Sequence, residues 1–281
     1  MVSPPSRPGF GLLRCPHCRL ELARGPATLA CPNRHSFDIA RQGYVNLLSQ
    51  ARRPTSAGGD TPDQLTHRAA FLAAGHFDLV ASRIVDRLAS SATPAASVID
   101  AGCGTGYHLA RMAALAPAPI IGLGLDIGRE AVRRAGRAWP GLAFAVTDLW
   151  SEWPIKDAAA DLVLSVFAPR NFAESARVLR PNGWLALVYP GPAHLAELDR
   201  GFGLIRRHAG KDQRYREAAE QAIGPCSIER LTHRPLLDGT AVRDAVLMGP
   251  NARHLTKAML DDSAGPRRVT IDLTLLLARK L

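Results

Sequence analysis

Cys15, Cys18, Cys31 and His35 are spaced Cys-x2-Cys, twelve residues, Cys-x3-His, and no other feature constrains the folding of this chain so tightly. Three thiolates and one imidazole on two short knuckles are the ligand set and number of a closed tetrahedral zinc site. Pro16 and Pro32 stiffen both knuckles. The same residues could be plain buried cysteines or a Cys-x-x-Cys redox pair, but a redox pair requires neither the third cysteine nor the histidine. His17, inside the first knuckle, reads as a solvent-facing loop residue.

Charge adds a partner to this picture. Across residues 1–53, eight arginines (Arg7, Arg14, Arg19, Arg24, Arg34, Arg41, Arg52 and Arg53) face two acids, Glu21 and Asp38, so this stretch carries +6 of the chain's net +10. Guanidinium forks match phosphate oxygens in pairs, and clustered positive charge gains affinity by releasing counterions from nucleic acid. The chain has 31 arginines and 4 lysines, so part of this basicity follows overall composition.

A chain of 281 residues has room for one domain of about 200 residues with a full core and one small appendage. The longest apolar runs, at 184–188 and 273–278, fall far short of the ~18 residues that span a bilayer, and the Pro-rich start has no signal-peptide core. No membrane partner and a cytoplasmic location are expected. Five cysteines, an odd number, make no disulfide framework and suit a reducing compartment.

Residues 43–48 read as a short strand or turn beneath the metal, and residues 51–64 have the Pro, Gly, Ser and Arg content of an exposed connection. Helical spacing over 65–88, broken near Gly75, predicts two helices. Beyond them the pattern alternates. Apolar runs at 97–101, 120–125, 142–146, 162–166 and 184–189 read as strands, with helices at 107–116, 130–139 and 172–179. Such alternation predicts a parallel sheet wound on both faces. Runs at 228–236 and 269–278 are expected to close it as an antiparallel hairpin, with a helix-and-loop insertion over 239–266. The expected division is a zinc-binding, RNA-recognising module at 1–50, a connection at 51–64 and an α/β domain at 65–281.

The first predicted strand ends in an acid and runs into Gly102-Cys103-Gly104-Thr105-Gly106. Glycines there let the backbone approach a ligand without a side-chain clash. In the dinucleotide fingerprint a third glycine falls where this chain has Tyr107, which argues against NAD and for the Rossmann-like, class I S-adenosylmethionine-dependent methyltransferase fold. In that fold Asp100 would reach the methionine amino group, and Gly102, Gly104 and Gly106 would line the cofactor. Asp126, twenty residues past Gly106, stands where ribose hydroxyls are held. Asp148, just after the third strand, stands where adenine's edge is held. Asp100 and Asp126 also read as ordinary turn or cap residues. Cys103 is expected to be a small packed residue, and His108 to open a helix.

No Asn/Asp-Pro-Pro-Tyr follows the fourth strand, where the chain reads Phe167-Ala168-Pro169-Arg170-Asn171, and no Pro-Cys or Thr-Cys nucleophile exists. Taken in order, the Cys/His box through Asp38, residues 43–48, 68–72 and 75–77, the loop at 100–106, Ala168-Pro169, residues 179–184 and residues 191–195 resemble the 23S rRNA guanine-N1 methyltransferases. The tail past residue 195 resembles them in layout only.

The resemblance implies methyl transfer to N1 of a guanosine in the domain II hairpin that lines the peptide exit tunnel. Some members thereby protect ribosomes from macrolides such as tylosin, and Asn171 with Glu174 looks like the resistance-associated branch. It further implies that Phe77, Gly104, Thr105 and His194 contact S-adenosylmethionine; the family often has Tyr where Phe77 stands. Guanine N1 carries a proton, so the base must be unpaired or flipped, and a proton acceptor is needed. Asn171 is a candidate for holding the guanine edge and Glu174 for accepting the proton. The pair reads equally as a helix N-cap and its first-turn acid. A homodimer would offer one rRNA hairpin a larger surface. A small-molecule methyltransferase would leave the basic zinc segment without a use, and a non-catalytic RNA-binding adaptor would leave the glycine loop without one.

Overall fold

In a computed structural model, which describes residues 7–48, 59–89, 96–198, 210–249 and 265–281, the chain opens with a 3-10 turn, Pro8–Leu12. Three short strands follow, β1 (Ala23–Arg24), β2 (Thr28–Ala30) and β3 (Ser36–Asp38), forming an antiparallel sheet in that order. The short strand expected at 43–48 forms, with Val45 and Leu47 in the same core as Cys15 and Cys31. This strand, β4 (Tyr44–Asn46), pairs in parallel with β7 (Ala143–Val146), Tyr44 lying opposite Phe144. Buried Tyr44 and Val45 make β4 an edge strand of the main sheet.

Helix α1 (Pro62–Ala73) starts inside the stretch assigned to the connection, because Thr61 and Gln64 form a capping box ahead of Pro62. The connection at residues 51–58 lies outside the described residues. Gly75, at φ 79°, turns the chain into α2 (Asp78–Ala89). The alternation then appears as β5 (Ser97–Ala101), α3 (Tyr107–Leu115), β6 (Ile121–Asp126), α4 (Arg129–Ala138), β7, β8 (Ala160–Val166), α5 (Phe172–Val178) and β9 (Leu179–Pro190). After it come α6 (Lys211–Ala222), β10 (Cys226–His233), β11 (Leu236–Leu237), α7 (Gly239–Leu247), β12 (Arg267–Arg268) and β13 (Ile271–Arg279).

The main sheet has the order β10-β13-β9-β8-β5-β6-β7-β4, parallel from β9 to β4. Strands β10 and β13 pair antiparallel, as expected, but β13 inserts between β9 and β10, so the last strand of the chain is interior. Helix α6 had no counterpart in the sequence reading. Of the insertion at 239–266, α7 occupies the start, and residues 250–264 lie outside the described residues. Among the described residues no helix is long and apolar enough to cross a membrane.

Each face of the sheet carries its own core. Val98, Leu162, Leu164 and Ala186 point to the face covered by α2 and α3. Ile99, Leu123, Ala143, Val163 and Leu185 point to the other, where they join Phe10, Leu13, Leu29, Trp153 and the cysteines Cys15 and Cys31. The zinc-binding stretch is therefore part of the cover of the sheet.

Arg7 fastens this cover. Its buried guanidinium donates to the carbonyls of Gly136 (2.9 Å), Trp139 (3.2 Å) and Leu142 at the end of α4, and to Gln42 (3.4 Å). These include carbonyls that a helix C-terminus leaves without intrahelical partners. Arg7→Ala is expected to destabilise the chain by about 2–3 kcal/mol, since buried acceptors lose a charged donor. Calorimetry should show a Tm lower by roughly 5–10 °C with bound metal retained.

Candidate active site and metal centre

The ligand atoms of Cys15, Cys18, Cys31 and His35 lie within 4.8 Å of one another. The sulfurs of Cys15 and Cys31 are each 3.4 Å from Nδ1 of His35, and those of Cys18 and Cys31 are 3.6 Å apart. A tetrahedron with metal–sulfur bonds of ~2.3 Å and a metal–nitrogen bond of ~2.0 Å has edges of roughly 3.5–3.8 Å. The donor set and its spacing fit zinc. His17 is exposed, as its place in the knuckle suggests, yet its ring lies 4.9 Å from that of His35 and stacks on Phe37 at 5.8 Å.

Strand β5 lies where the strand order reverses, with β6 and β7 on one side and β8 and β9 on the other. Ligands of such sheets bind outside the carboxyl ends of the strands at that point. The loop there turns on Gly102 (φ 88°), Gly104 (φ 51°) and Gly106 (φ 78°). A Cβ on Gly102 would stand 2.2 Å from that of Ala168, so the loops after β5 and β8 touch. Above Gly104 the space is open, with Nη1 of Arg68 the nearest atom at 3.9 Å. Tyr107 ties α3 to α2: its hydroxyl donates to Asp78, which also accepts from Arg111 at 2.9 Å. Cys103 is buried, and burial holds its thiol well above its usual range, so it is packed rather than nucleophilic. Burial also pushes His108 down to about 4, leaving a neutral ring in the first turn of α3.

The three acids at the strand ends differ in what they hold. Asp126 accepts from the amides of Gly104 (2.9 Å) and Gly128 (2.7 Å), bracing two loops at once. Asp148 accepts from the amide of Trp150 and the hydroxyl of Ser151, both at 2.9 Å. A carboxylate has about four acceptor sites, so both keep capacity for a ligand. Asp100 is buried with neither oxygen accepting a hydrogen bond.

Phe77 and His194, 117 positions apart in the chain, meet with ring centroids 5.9 Å apart. Phe167 joins them, stacked on Phe77 at 5.5 Å and 5.8 Å from His194. The turn that carries His194 is shaped by Asp272 of β13, which accepts from the amides of Gly191 and Ala193. Sequence reasoning passed over Phe167. The residue is 39% exposed and its backbone has φ 54°, an uncommon conformation for an aromatic residue. The available signal was an aromatic directly after a buried strand. Arg68 was likewise seen only as part of a motif; it bridges Asp60 and the Met248 carbonyl (2.8 Å) over the glycine loop. The Thr105 carbonyl accepts from the indole of Trp139 at 3.0 Å.

Asn171 is the N-cap of α5, its side chain accepting from Glu174 N at 3.1 Å and donating to the Leu149 carbonyl at 3.2 Å. Glu174 is a first-turn acid whose oxygens accept from Trp153 N (2.6 Å) and from Arg177 (2.5 and 2.9 Å). The capping alternative is the arrangement in this structure. It ties α5 to the loop that follows Asp148.

Residues 13–53 match a family described as "RlmA, N-terminal", and residues 98–183 match one described as "Methyltransferase domain". The chain is 42% identical over 279 residues to the 23S rRNA (guanine(748)-N(1))-methyltransferase of Streptomyces fradiae, covering 96% of this chain and 97% of the relative. It is 41% identical over 287 residues to a provisionally named 23S rRNA (guanine-N(1)-)-methyltransferase of Micromonospora griseorubida, covering 95% and 96%. Among solved structures, phosphoethanolamine N-methyltransferase 2 of Haemonchus contortus superposes with a TM-score of 0.50 at 12% identity, over 77% of this chain and 56% of that one. That last likeness concerns the fold alone.

Burial, and after it the nearby Asp126, pushes Asp100 up to about 8. An unfolded aspartate releases its proton near 4. Between these values only the folded chain holds the proton, so Asp100 withdraws stability as pH rises from about 4 to about 8 and no further above. Asp100→Asn keeps the shape and removes the titration. The Tm of the cofactor-free variant minus that of the parent is expected to grow from pH 5 to pH 8 and then level; a constant difference would mean that Asp100 is ionised throughout.

Proposed function

The chain belongs to the 23S rRNA (guanine-N1)-methyltransferases, and from that membership we propose that it methylates N1 of one guanosine in the domain II exit-tunnel hairpin of 23S rRNA. The guanosine is the counterpart of position 748 in the name of the Streptomyces fradiae relative. The modification protects ribosomes in the cytoplasm from tylosin-type macrolides. The observation that carries this reading is the unpartnered, buried carboxyl of Asp100 beside the open Gly104 turn, in a chain that also bears an arginine-rich zinc module.

S-adenosylmethionine supplies a methyl group on a sulfonium, open to in-line displacement. With the cofactor bound, Asp100 would release its proton to water and pair as a carboxylate with the ammonium group. The turn of Gly102, Gly104, Thr105 and Gly106 would let the methionine end approach the backbone, Phe77 and His194 would wall it, Asp126 would accept from the ribose hydroxyls and Asp148 from adenine. Residues 1–50 recruit the rRNA, residues 51–64 connect, and residues 65–281 carry the transfer. A homodimer sharing one hairpin belongs to the same proposal, and the mass of the protein–RNA complex checks it.

Phe167 offers an exposed ring face to the unpaired guanine, because every base has a π-face to stack. As the N1–carbon bond forms and the sulfur–carbon bond breaks, the N1 proton must leave. Glu174 takes it only with the Arg177 ion pair open. With the pair closed, Glu174 and Asn171 hold α5 to the loop that follows Asp148.

Incubation with S-adenosylmethionine and 23S rRNA, followed by primer extension across the hairpin, is expected to give a single cofactor-dependent stop. Methyl incorporation without a stop would move the target to another atom. Phe167→Ala is expected to lower kcat/KM roughly ten- to hundredfold while cofactor affinity holds, the magnitude of one lost base stack. Glu174→Gln separates its two roles: a base predicts a kcat lower by about 10²-fold or more with a flattened pH profile, and a positioning residue predicts a lower Tm with kcat largely kept.

A further inference from the structure

Two of the non-glycine residues with positive φ are arginines, one in each of the two metal knuckles. Arg19 (φ 62°) follows Cys18, and Arg34 (φ 63°) precedes His35. Each closes its turn through the backbone: the Arg19 amide donates to the Cys15 carbonyl and the Arg34 amide to the Cys31 carbonyl, both at 2.9 Å. Left-handed backbone is the province of glycine, with asparagine and aspartate next, and a long side chain gains nothing local from it. The turns need the φ value; neither needs a guanidinium.

Two of the other arginines of the module are largely covered, while Arg24 and Arg41 are exposed. Arg7 is buried against carbonyls, and Arg14, 12% exposed at its side chain, is paired with Glu152 and Asp157. Both hold the module to the sheet. Arg34 is exposed and has no ion pair or side-chain hydrogen bond among the described residues. Arg19 is 68% exposed and reaches only Glu152, a surface pair that water and salt weaken. His17, in the first knuckle, is exposed, its ring 4.9 Å from that of His35 in the second and stacked on Phe37. Guanidinium groups and an aromatic face on the same two knuckles suit a strand that carries phosphates and bases, more than an acidic protein surface.

We propose that Arg19 and Arg34 are the phosphate grips of the zinc module, displayed by left-handed turns that the metal holds shut, with the His17–Phe37 stack of the same knuckles offered to an unpaired rRNA base. This rests on the rRNA substrate proposed above and names the surface that recognises it. The strain at each turn is then kept for the side chain it presents.

Glycine relaxes the turn and removes the guanidinium, so a structural role and an RNA-binding role predict opposite results. Full-length parent, Arg34→Gly, Arg19→Gly and Arg34→Asp would be compared for zinc content, Tm and affinity for a 23S rRNA fragment carrying the domain II hairpin, across a range of salt. Each glycine variant is expected to keep its zinc and a Tm at or above the parent's, while binding RNA about three- to tenfold more weakly with a log–log salt slope shallower by about 0.7–0.9. Arg34→Asp, tolerated by the turn but reversed in charge, should lose more. Unchanged affinity and slope in both glycine variants would overturn the proposal and leave the transferase reading standing. Lost zinc or a lower Tm in them would overturn it in favour of a structural role. A parent protein that does not bind the fragment would overturn both readings together.

Discussion

One face of the main sheet is covered in part by a short segment whose turns converge on four metal-ligand side chains. A parallel sheet must be covered on both sides, because its strands are apolar on both. Here Phe10, Leu13, Leu29, Cys15 and Cys31 lie in the same core as Ile99, Leu123 and Val163. Residues 7–38 are too few to bury a core of their own, so the ligand cluster at Cys15, Cys18, Cys31 and His35 helps to give this cover its shape. Strand β4 then extends the sheet beyond β7, and Arg7 caps α4 from outside. The metal site thus supports the same strands whose carboxyl ends carry the glycine loop.

At those carboxyl ends the structure leaves needs unmet. Asp100 is buried without a hydrogen bond, beside Asp126, and is held protonated by burial and by that neighbouring charge. Removing a carboxyl from water in this way destabilises the empty protein. A cationic ligand group would relieve both causes together. Phe167 holds a second unfavourable feature, a left-handed backbone that lifts its ring onto Phe77 at the mouth of the same site. Such costs persist only where the surrounding structure over-determines them, and here the Gly102–Ala168 contact and the Asp272-held turn do so.

The zinc segment and the loop after β7 are also joined by charge. Arg14 bonds Glu152 and Asp157, Arg177 bonds Asp157 and Glu174, and Glu174 accepts from Trp153 N. Asp157 is held below the usual carboxylate range, chiefly by Arg177 and then by Arg14. Its exposed members add little stability individually. Their effect is geometric, in that the loop after β7 is clamped between the metal module on one side and α5 on the other.

Much of this was legible in residue order, and the legible parts share a short range. The ligand spacing, the glycine loop closed by an acid, the period-2 and period-3.6 runs of β5 to β9 and the capping reading of Asn171 and Glu174 each rest on contacts a few residues apart, which local spacing records. The partners of β4, β13 and Arg7 do not. Tyr44 meets Phe144, Arg7 meets the end of α4, and β13 slips between β9 and β10; each joins segments distant in the chain. Phe77, Phe167 and His194 form one wall for the same reason. Residue order alone shows which turns bring four metal-ligand side chains together, which loop leaves its backbone open and which runs become strands, because those depend on backbone sterics and ligand spacing. That the metal module is part of the sheet's cover emerges from folding, because burial is shared among residues that no local pattern connects.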